Sequence, residues 1–310
     1  MRLGRDEITA LKGLSIIMIV LHNVIHMMCP VHENEFSFSQ SNVTALLENF
    51  CSMPVSSFFS FFGWLGVSFF IFASAYGLTV KYGDRPLPVI AWLRQHYLKL
   101  FLLMLPAFAA YIAMSLYRHP QGLVDFIYFA IEQSLLLNIL NPYAIVPGVF
   151  WYIGIAFQFY IWYLVLRRAS DKQLILMALC SCALVAFLPQ HYVSYIRHNS
   201  LGWMSEFAAG ILLARHPHAV LKIKRPWTMA CICILAAALL SFSRYTYMIA
   251  GLCFTGALLA CKELMAEAGA LLRIGKISAS IYIVHPVVRA VWFALSSGAT
   301  GKIPPPLRDV

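Results

Sequence analysis

Charged residues are scarce in this sequence. Only 12% of its 310 residues are Asp, Glu, Lys or Arg, whereas 61% are hydrophobic and the mean hydropathy is +0.74. A soluble domain carries roughly 25% charged residues, so the polar surface that a water-soluble globule needs is missing. Apolar runs close to the length of a membrane-spanning helix, about 20 residues, recur along the chain instead. The composition therefore excludes a soluble fold and predicts one polytopic membrane domain.

Acidic residues are fewer than basic residues: 13 Asp and Glu stand against 23 Lys and Arg, which gives a net charge of +10. The basic residues cluster between apolar runs, as at 81–99, whereas the segment 29–55 has no Lys or Arg and three glutamates. This alternation is typical of the positive-inside pattern. The charge therefore indicates topology and contact with membrane lipid, and no nucleic acid is expected as a partner. We expect a multi-pass protein of the cell inner (plasma) membrane with a cytoplasmic N-terminus and 29–55 outside.

Cysteines in a metal-binding arrangement are also lacking. Six of the eight cysteines lie in apolar runs, where cysteine usually packs as a small hydrophobic residue. These six are Cys180, Cys182, Cys231, Cys233, Cys253 and Cys261. A step of two residues points to different faces of a helix, so no metal site is expected. Cys29 and Cys51 bracket the non-basic segment, and a disulfide between them stays open if that segment lies outside the cytoplasm.

The apolar runs predict an all-α fold, a transmembrane bundle of about nine to ten spans. The bundle occupies residues 1–298, and a short polar, Pro-rich tail follows at 299–310. The predicted helices are 10–28, 57–80, 97–117, 148–166, 173–189, 200–214, 227–242, 245–261 and 277–297. A further run at 125–141 contains polar residues and would reverse the charge pattern if it spanned the membrane. We interpret it as a re-entrant or surface helix.

Three ionisable residues lie in the first predicted helix. Lys12 is at its cytoplasmic end, and His22 and His26 lie deeper. Ionisable groups inside spans are costly and are functional by default. His22 and His26 are four residues apart and share a helix face. Either histidine could act as a general base on a hydroxyl group, or both could simply form hydrogen bonds to a neighbouring helix.

Five short patterns with polar residues at fixed places follow one another along the chain: Lys12 to Asn23, Gly66 to Tyr76, His96 to Lys99, Trp151 to Tyr160 and Ile274 to Pro286. In this order they resemble the membrane-bound acyltransferase family 3, whose members O-acylate cell-surface glycans. The resemblance covers residues 8–290. The chain departs from the family pattern where Asn23 takes the usual place of the first histidine and where His96 and Lys99 replace paired arginines.

The resemblance implies an acyltransferase-like domain that moves an acyl group, acetyl in the expected case, from acyl-CoA to a glycan hydroxyl. Acetyl-CoA or another acyl-CoA would be the donor, and an envelope polysaccharide or a lipid-linked glycan the acceptor, with no metal required. His22, or His26 one turn later, would take the hydroxyl proton. The implied contacts to substrate are Lys12, Asn23, Ser74, Tyr76, Arg94, His96, Lys99, Trp151, Gln158, Tyr282 and His285.

Three alternatives stay open at this point. Each implied contact has a structural interpretation as helix packing, an interfacial anchor or a hydrogen bond within the bundle. The chain as a whole could be a transporter or flippase of a lipid-linked sugar, with the same polar interior and no chemistry. It could also be an inactive relative, which the departures favour. A cavity shared by His22 and Lys99 would favour the enzyme.

Overall fold

The computed structural model describes residues 3–118, 151–219, 223 and 225–300. All regular elements in these ranges are helical, which confirms the all-α prediction for this part of the chain. The α-helices are α1 (Arg5–Ile25), α2 (Gln40–Asn49), α3 (Pro54–Phe62), α4 (Leu65–Tyr82), α5 (Val89–Arg118), α6 (Trp151–Leu166), α7 (Asp171–Phe187), α8 (Gln190–Arg197), α9 (Met204–Arg215), α10 (Pro226–Leu240), α11 (Ala250–Ala260), α12 (Lys262–Ala266), α13 (Gly269–Lys276) and α14 (Ser278–Thr300). Short 3-10 helices lie at Ser200–Trp203, Pro217–Ala219 and Tyr247–Ile249.

Most of the predicted helices lie on helices of the structure, which differs from the prediction at breaks and in short helices that the apolar runs did not indicate. The predicted helix 57–80 is two helices, α3 and α4, separated by Gly63 and Trp64. Glycine ends α3 because it has a low helix propensity. The predicted segment 125–141 and residues 301–310 of the tail lie outside the described residues.

The predicted number of spans is not confirmed. Among the described residues, α1 and α4 are long and apolar enough to cross a membrane, and α13 and α14, bent by 75°, make a third if they form one span. The helices α6 and α10 and the stretch Tyr247–Ala260 are apolar but shorter. The predicted run 227–242, for example, contains a helix of 15 residues, against the roughly 20 that cross a bilayer. The apolar helices nonetheless indicate a membrane protein.

Helix α1 lies inside the bundle, where it contacts α3, α4, α12, α13 and α14. Glycine allows the close contact with α4, since a Cβ atom on Gly66 would lie 2.7 Å from the carbonyl oxygen of Ser15. Helix α4 packs in turn against α9 and α11. The residues of α1 therefore meet other helices on several sides, and its polar groups can find partners there.

The segment from His26 to Ser39, here called the 26–39 loop, is held against this bundle by side chains from other elements. Ser60 of α3 donates a hydrogen bond to the carbonyl oxygen of Val31. Asn42 of α2 donates one to the carbonyl oxygen of Glu33 over 2.7 Å. These two bonds fix the loop backbone at Val31 and at Glu33, on either side of His32.

Arg197 of α8 fixes the same loop from the other side. Its side chain is fully buried and donates hydrogen bonds to the carbonyl oxygens of Glu35 and Gly202, each over 2.8 Å. Its guanidinium carbon lies 3.5 Å from the centre of the Trp203 ring, a cation–π contact. Arg197 thus ties the loop to a part of the chain that lies 162 residues further along the sequence.

Candidate functional site

His22 lies in the last turn of α1 and is buried. Its Nδ1 atom is 3.1 Å from the carbonyl oxygen of Phe59 in α3. A carbonyl oxygen can only accept a hydrogen bond, so Nδ1 carries the proton and Nε2 has a lone pair that can accept one. Gly63 makes the contact between α1 and α3 possible, because a Cβ atom there would lie 2.5 Å from the Cβ of His22.

His26 begins the 26–39 loop and lies beside His22, with the two ring centres 5.5 Å apart. Its Nδ1 atom is 2.8 Å from a carboxylate oxygen of Glu33. Its Nε2 atom is 3.4 Å from Nδ1 of His32. The sequence correctly predicted that His22 and His26 lie on one face, and the fold adds a third histidine and a carboxylate to them.

Two carboxylates of the loop meet these histidines. One ligand atom each of His22, Glu33 and Glu35 lies within 4.8 Å of the others. Burial alone raises the pKa of Glu33, but the 2.8 Å contact with His26 and the electrostatic interaction with the two histidines outweigh burial and hold this pKa at about 2. Burial and the charge of Glu33 raise the pKa of Glu35 well above its ordinary value. Glu33 is therefore the carboxylate that carries a charge beside the histidines.

Sequence reasoning did not single out His32, Glu33 or Glu35 as site residues. The glutamates were used only as signs that the segment lies outside the cytoplasm. A useful signal was present, because the loop brings acidic residues and a histidine within nine residues of His26 in a stretch without a basic residue. Their convergence depends on how the loop folds back over α1, which spacing does not encode.

A cavity of about 180 Å³, open on one side to the surroundings, lies between α1, α4, α5, α6 and α14. Its polar lining comes chiefly from Lys12, Ser74, Lys99, Tyr152, Tyr160 and Tyr282. Four of these residues were predicted contacts to substrate, and they come from four of the predicted patterns. The fold therefore assembles two cations and several hydroxyl groups around one space.

In the described part of the chain, His22 is not among the residues that line this cavity. Ile19, one turn earlier on α1, is among them. Tyr282 also lines the cavity, and its ring centre is 5.7 Å from that of His285. His285 is buried, and its Nε2 atom has no hydrogen-bond partner among the described residues. The cavity therefore extends to Ile19, one turn from His22 on α1, but His22 itself does not line it.

Asn23 and Gln158 are engaged in contacts between elements. The Asn23 amide donates to the carbonyl oxygen of Ile19 over 2.9 Å, and Arg289 of α14 donates to the Asn23 carbonyl oxygen over 2.9 Å. The Gln158 side chain accepts the backbone N–H of Ser200 over 2.8 Å. These contacts fit the structural interpretation, and the two substrate roles stay predictions.

Four other predicted contacts also lie away from the cavity lining. The Tyr76 hydroxyl accepts the backbone N–H of Leu3 over 2.9 Å, and Trp151 is buried against Trp203 with ring centres 5.6 Å apart. His96 lies closer, with its ring centre 4.4 Å from that of Tyr160, which lines the cavity. The fourth, Arg94, is exposed.

The disulfide that the sequence left open is not formed. Cys29 and Cys51 are both free cysteines, and Cys29 is buried whereas Cys51 is exposed. The short helix α2 lies between them and separates the ends of the segment they bracket.

The apolar helices indicate a membrane protein, and several polar groups are gathered inside them. A comparison with protein families gives the particular family: the family model described as an acyltransferase domain matches residues 5–307. The chain belongs to acyltransferase family 3, which confirms the resemblance and supports a membrane acyltransferase. Comparisons with curated proteins and with solved structures gave no match.

Proposed function

We propose that this chain is an O-acyltransferase that moves an acyl group, acetyl in the simplest case, from acyl-CoA to a hydroxyl of an envelope polysaccharide or a lipid-linked glycan. The observation that carries the proposal is the hydrogen bond from His22 Nδ1 to the Phe59 carbonyl oxygen. It sets the tautomer whose Nε2 can take a proton, as a general base requires.

In the proposed reaction, Nε2 of His22 takes the proton of the acceptor hydroxyl as its oxygen attacks the thioester carbonyl carbon. The carbon–sulfur bond then breaks, the thiol of CoA leaves, and the proton passes from His22 to that sulfur. The charged Glu33 lies close to the imidazole of His22. Its negative charge stabilises the imidazolium that forms, because opposite charges attract more strongly in a partly buried site than in water.

Lys12 and Lys99 supply the proposed site for the phosphates of the donor, since both line the cavity. The ten residues from Lys12 to His22 place the two about 15 Å apart along α1. The donor therefore approaches from the end of α1 that holds Lys12. With the N-terminus in the cytoplasm, that end faces the cytoplasm, and the histidine end faces the acceptor on the other side.

The test is transfer of labelled acetyl from acetyl-CoA by membranes that contain wild-type or His22→Ala protein. We expect the substitution to abolish transfer at unchanged protein abundance, because it removes the base. A matched control is His191→Ala, since His191 is exposed on α8. Full activity of the His22 variant would contradict the proposal, and loss only in His26→Ala would move the base one turn along.

A transporter of a lipid-linked sugar makes a different prediction in the same assay. Purified wild-type protein would then consume no acyl-CoA, whichever glycan is supplied as acceptor. Consumption of acyl-CoA that depends on the acceptor excludes transport as the sole activity.

A further inference from the structure

Three residues at the end of α1 are arranged like the ligands of a metal ion. One ligand atom each of His26, His32 and Glu33 lies within 4.8 Å of the others. The 3.4 Å between Nε2 of His26 and Nδ1 of His32 is long for a hydrogen bond. It matches the roughly 3.3–3.5 Å that separates two ligands of a tetrahedral Zn²⁺ with Zn–N bonds of about 2.0–2.1 Å.

Glu33 brings a carboxylate to the same two histidines. One of its oxygens lies 2.8 Å from Nδ1 of His26, and neither of these atoms has a hydrogen-bond partner among the described residues. Buried polar atoms are rarely left without a hydrogen bond, and a bound ion is one of the few ways to satisfy them.

The backbone around these ligands is fixed before any ion arrives. The carbonyl oxygens of Val31, Glu33 and Glu35 accept hydrogen bonds from side chains of three other elements, α3, α2 and α8. Alternate residues of the loop are thus held in place on both sides of His32 and Glu33. A site whose ligands are already positioned loses little conformational entropy when it binds an ion.

From these contacts we propose that His26, His32 and Glu33 bind one divalent first-row transition-metal ion of the Zn²⁺ type. Two imidazoles and one carboxylate suit such an ion, whereas Mg²⁺ and Ca²⁺ prefer oxygen ligands throughout. His32 is exposed, so the ion can enter from the surroundings. The neighbouring set of His22, Glu33 and Glu35 is less accessible, since His22 and Glu35 are buried.

This inference revises the sequence expectation that no metal site is present. That expectation considered only the cysteines and their spacing, whereas the ligands here come from a helix end and the loop that follows it. The site shares Glu33 with the proposed acyl transfer, but His22 is not one of the three ligands, so metal binding and acyl transfer can be tested separately.

The experiment uses full-length protein purified in detergent without a polyhistidine tag and treated with a chelator. Co²⁺ is titrated in, visible absorption bands report its coordination, and Zn²⁺ is then added as a competitor. We expect one Co²⁺ per chain, displaced by Zn²⁺. His32→Ala and Glu33→Gln should each weaken binding by about tenfold or more, since loss of even an outer partner has an effect of that size. His191→Ala, which changes an exposed histidine of α8, should bind as wild type does.

Three results would overturn the site. The first is a lack of saturable Co²⁺ binding, and the second is binding that is unchanged in both His32→Ala and Glu33→Gln. The third is a sulfur-to-cobalt charge-transfer band, which would place the ion on a cysteine such as the exposed Cys51. The titration contains no acyl-CoA, so its outcome is independent of the transfer assay.

Discussion

At the scale of single residues, Lys99 and Arg94 lie one turn or more apart on α5 but in different surroundings. Both side chains are exposed, but Lys99 lines the cavity and Arg94 lies outside the cavity lining. The sequence could not separate them, because both are basic residues near the start of the same helix. What distinguishes Lys99 is that it lines the same cavity as Lys12.

Lys99→Gln should raise the KM for acyl-CoA by about tenfold to hundredfold, which is the effect of losing roughly 1.5–3 kcal/mol from one charge-assisted contact to a phosphate. The maximal rate should fall less, because the lysine binds a part of the donor remote from the reacting carbonyl. Arg94→Gln is the matched control and should leave KM near the wild-type value. Steady-state transfer at varied acetyl-CoA concentrations measures KM and the maximal rate of each variant. Equal effects of the two substitutions would show that the lysine serves only as a membrane anchor.

A second comparison at this scale uses two glycines. Gly63→Ala places a methyl group 2.5 Å from the Cβ of His22 and 2.6 Å from the Phe59 carbonyl oxygen. We expect α3 and the end of α1 to move apart, at a cost of about 1–3 kcal/mol, and the bond that sets the His22 tautomer to weaken. Both the thermal midpoint in detergent and the transfer rate should fall.

Gly77→Ala is the control for this change, since no atom lies within 4 Å of the added methyl group. That substitution should leave the transfer rate unchanged and should not lower the midpoint, because alanine favours a helix more than glycine does. A normal rate and midpoint for Gly63→Ala would contradict the close packing around His22.

At the scale of elements, an ion pair joins the first turn of α1 to α12. The Lys262 ammonium lies 2.6 Å from a carboxylate oxygen of Glu7, and 8% and 14% of the two side chains are exposed. Burial lowers the pKa of Lys262, but Glu7 and Glu263 outweigh burial and raise it above its ordinary value of 10.5. As long as Glu7 is ionised, the contribution of Lys262 is therefore fully present below about pH 10.5, and it is lost as the pH rises through the higher pKa of the folded protein.

Glu7→Gln should therefore lower stability at neutral pH, because Lys262 keeps its charge and loses its closest partner. Breaking a buried ion pair typically costs about 3–5 kcal/mol, and the contact of Lys262 with Glu263 should reduce this loss. Glu48→Gln, which changes an exposed glutamate of α2, is the control. Thermal unfolding in detergent at pH 7 measures the stability of the two variants against wild type. A loss no larger than that of the control would show that Glu263 replaces Glu7.

The sequence predicted the long apolar helices better than the short helices and the loop. Long apolar runs gave the positions of α1, α6, α7 and α10 within a few residues, because helices that lie within a membrane are apolar over most of their length. The helices α2 and α8 were missed, since each is short and mixes polar and apolar residues. The break at Gly63 was missed as well, because the apolar character continues through it. The site residues of α1 were predicted, whereas those of the 26–39 loop depend on contacts with α2, α3 and α8.

At the scale of the whole molecule, the proposed direction of the reaction depends on the orientation in the membrane. With all native cysteines replaced, a Ser41→Cys variant should react with an impermeant maleimide in intact cells, and an Asp84→Cys variant should not. Both positions are exposed, so accessibility within the protein does not limit labelling. The charge distribution gives the reason, since basic residues surround Asp84 and none lies near Ser41. Reversed labelling would place the cavity lysines on the outer side and exclude a cytoplasmic donor.

The Arg197 contact with the Glu35 carbonyl oxygen has a consequence for biogenesis. Ribosomes deliver α1 and the 26–39 loop long before they deliver α8, and Lys262 later still. During translation, Glu7 of α1 and the carbonyl oxygen of Glu35 must therefore wait in the insertion machinery or the lipid without their final partners, which is costly for an ionisable group such as Glu7. The first helix to emerge is thus among the last to be completed, and nascent chains that end before Arg197 should be degraded faster than those that end after it.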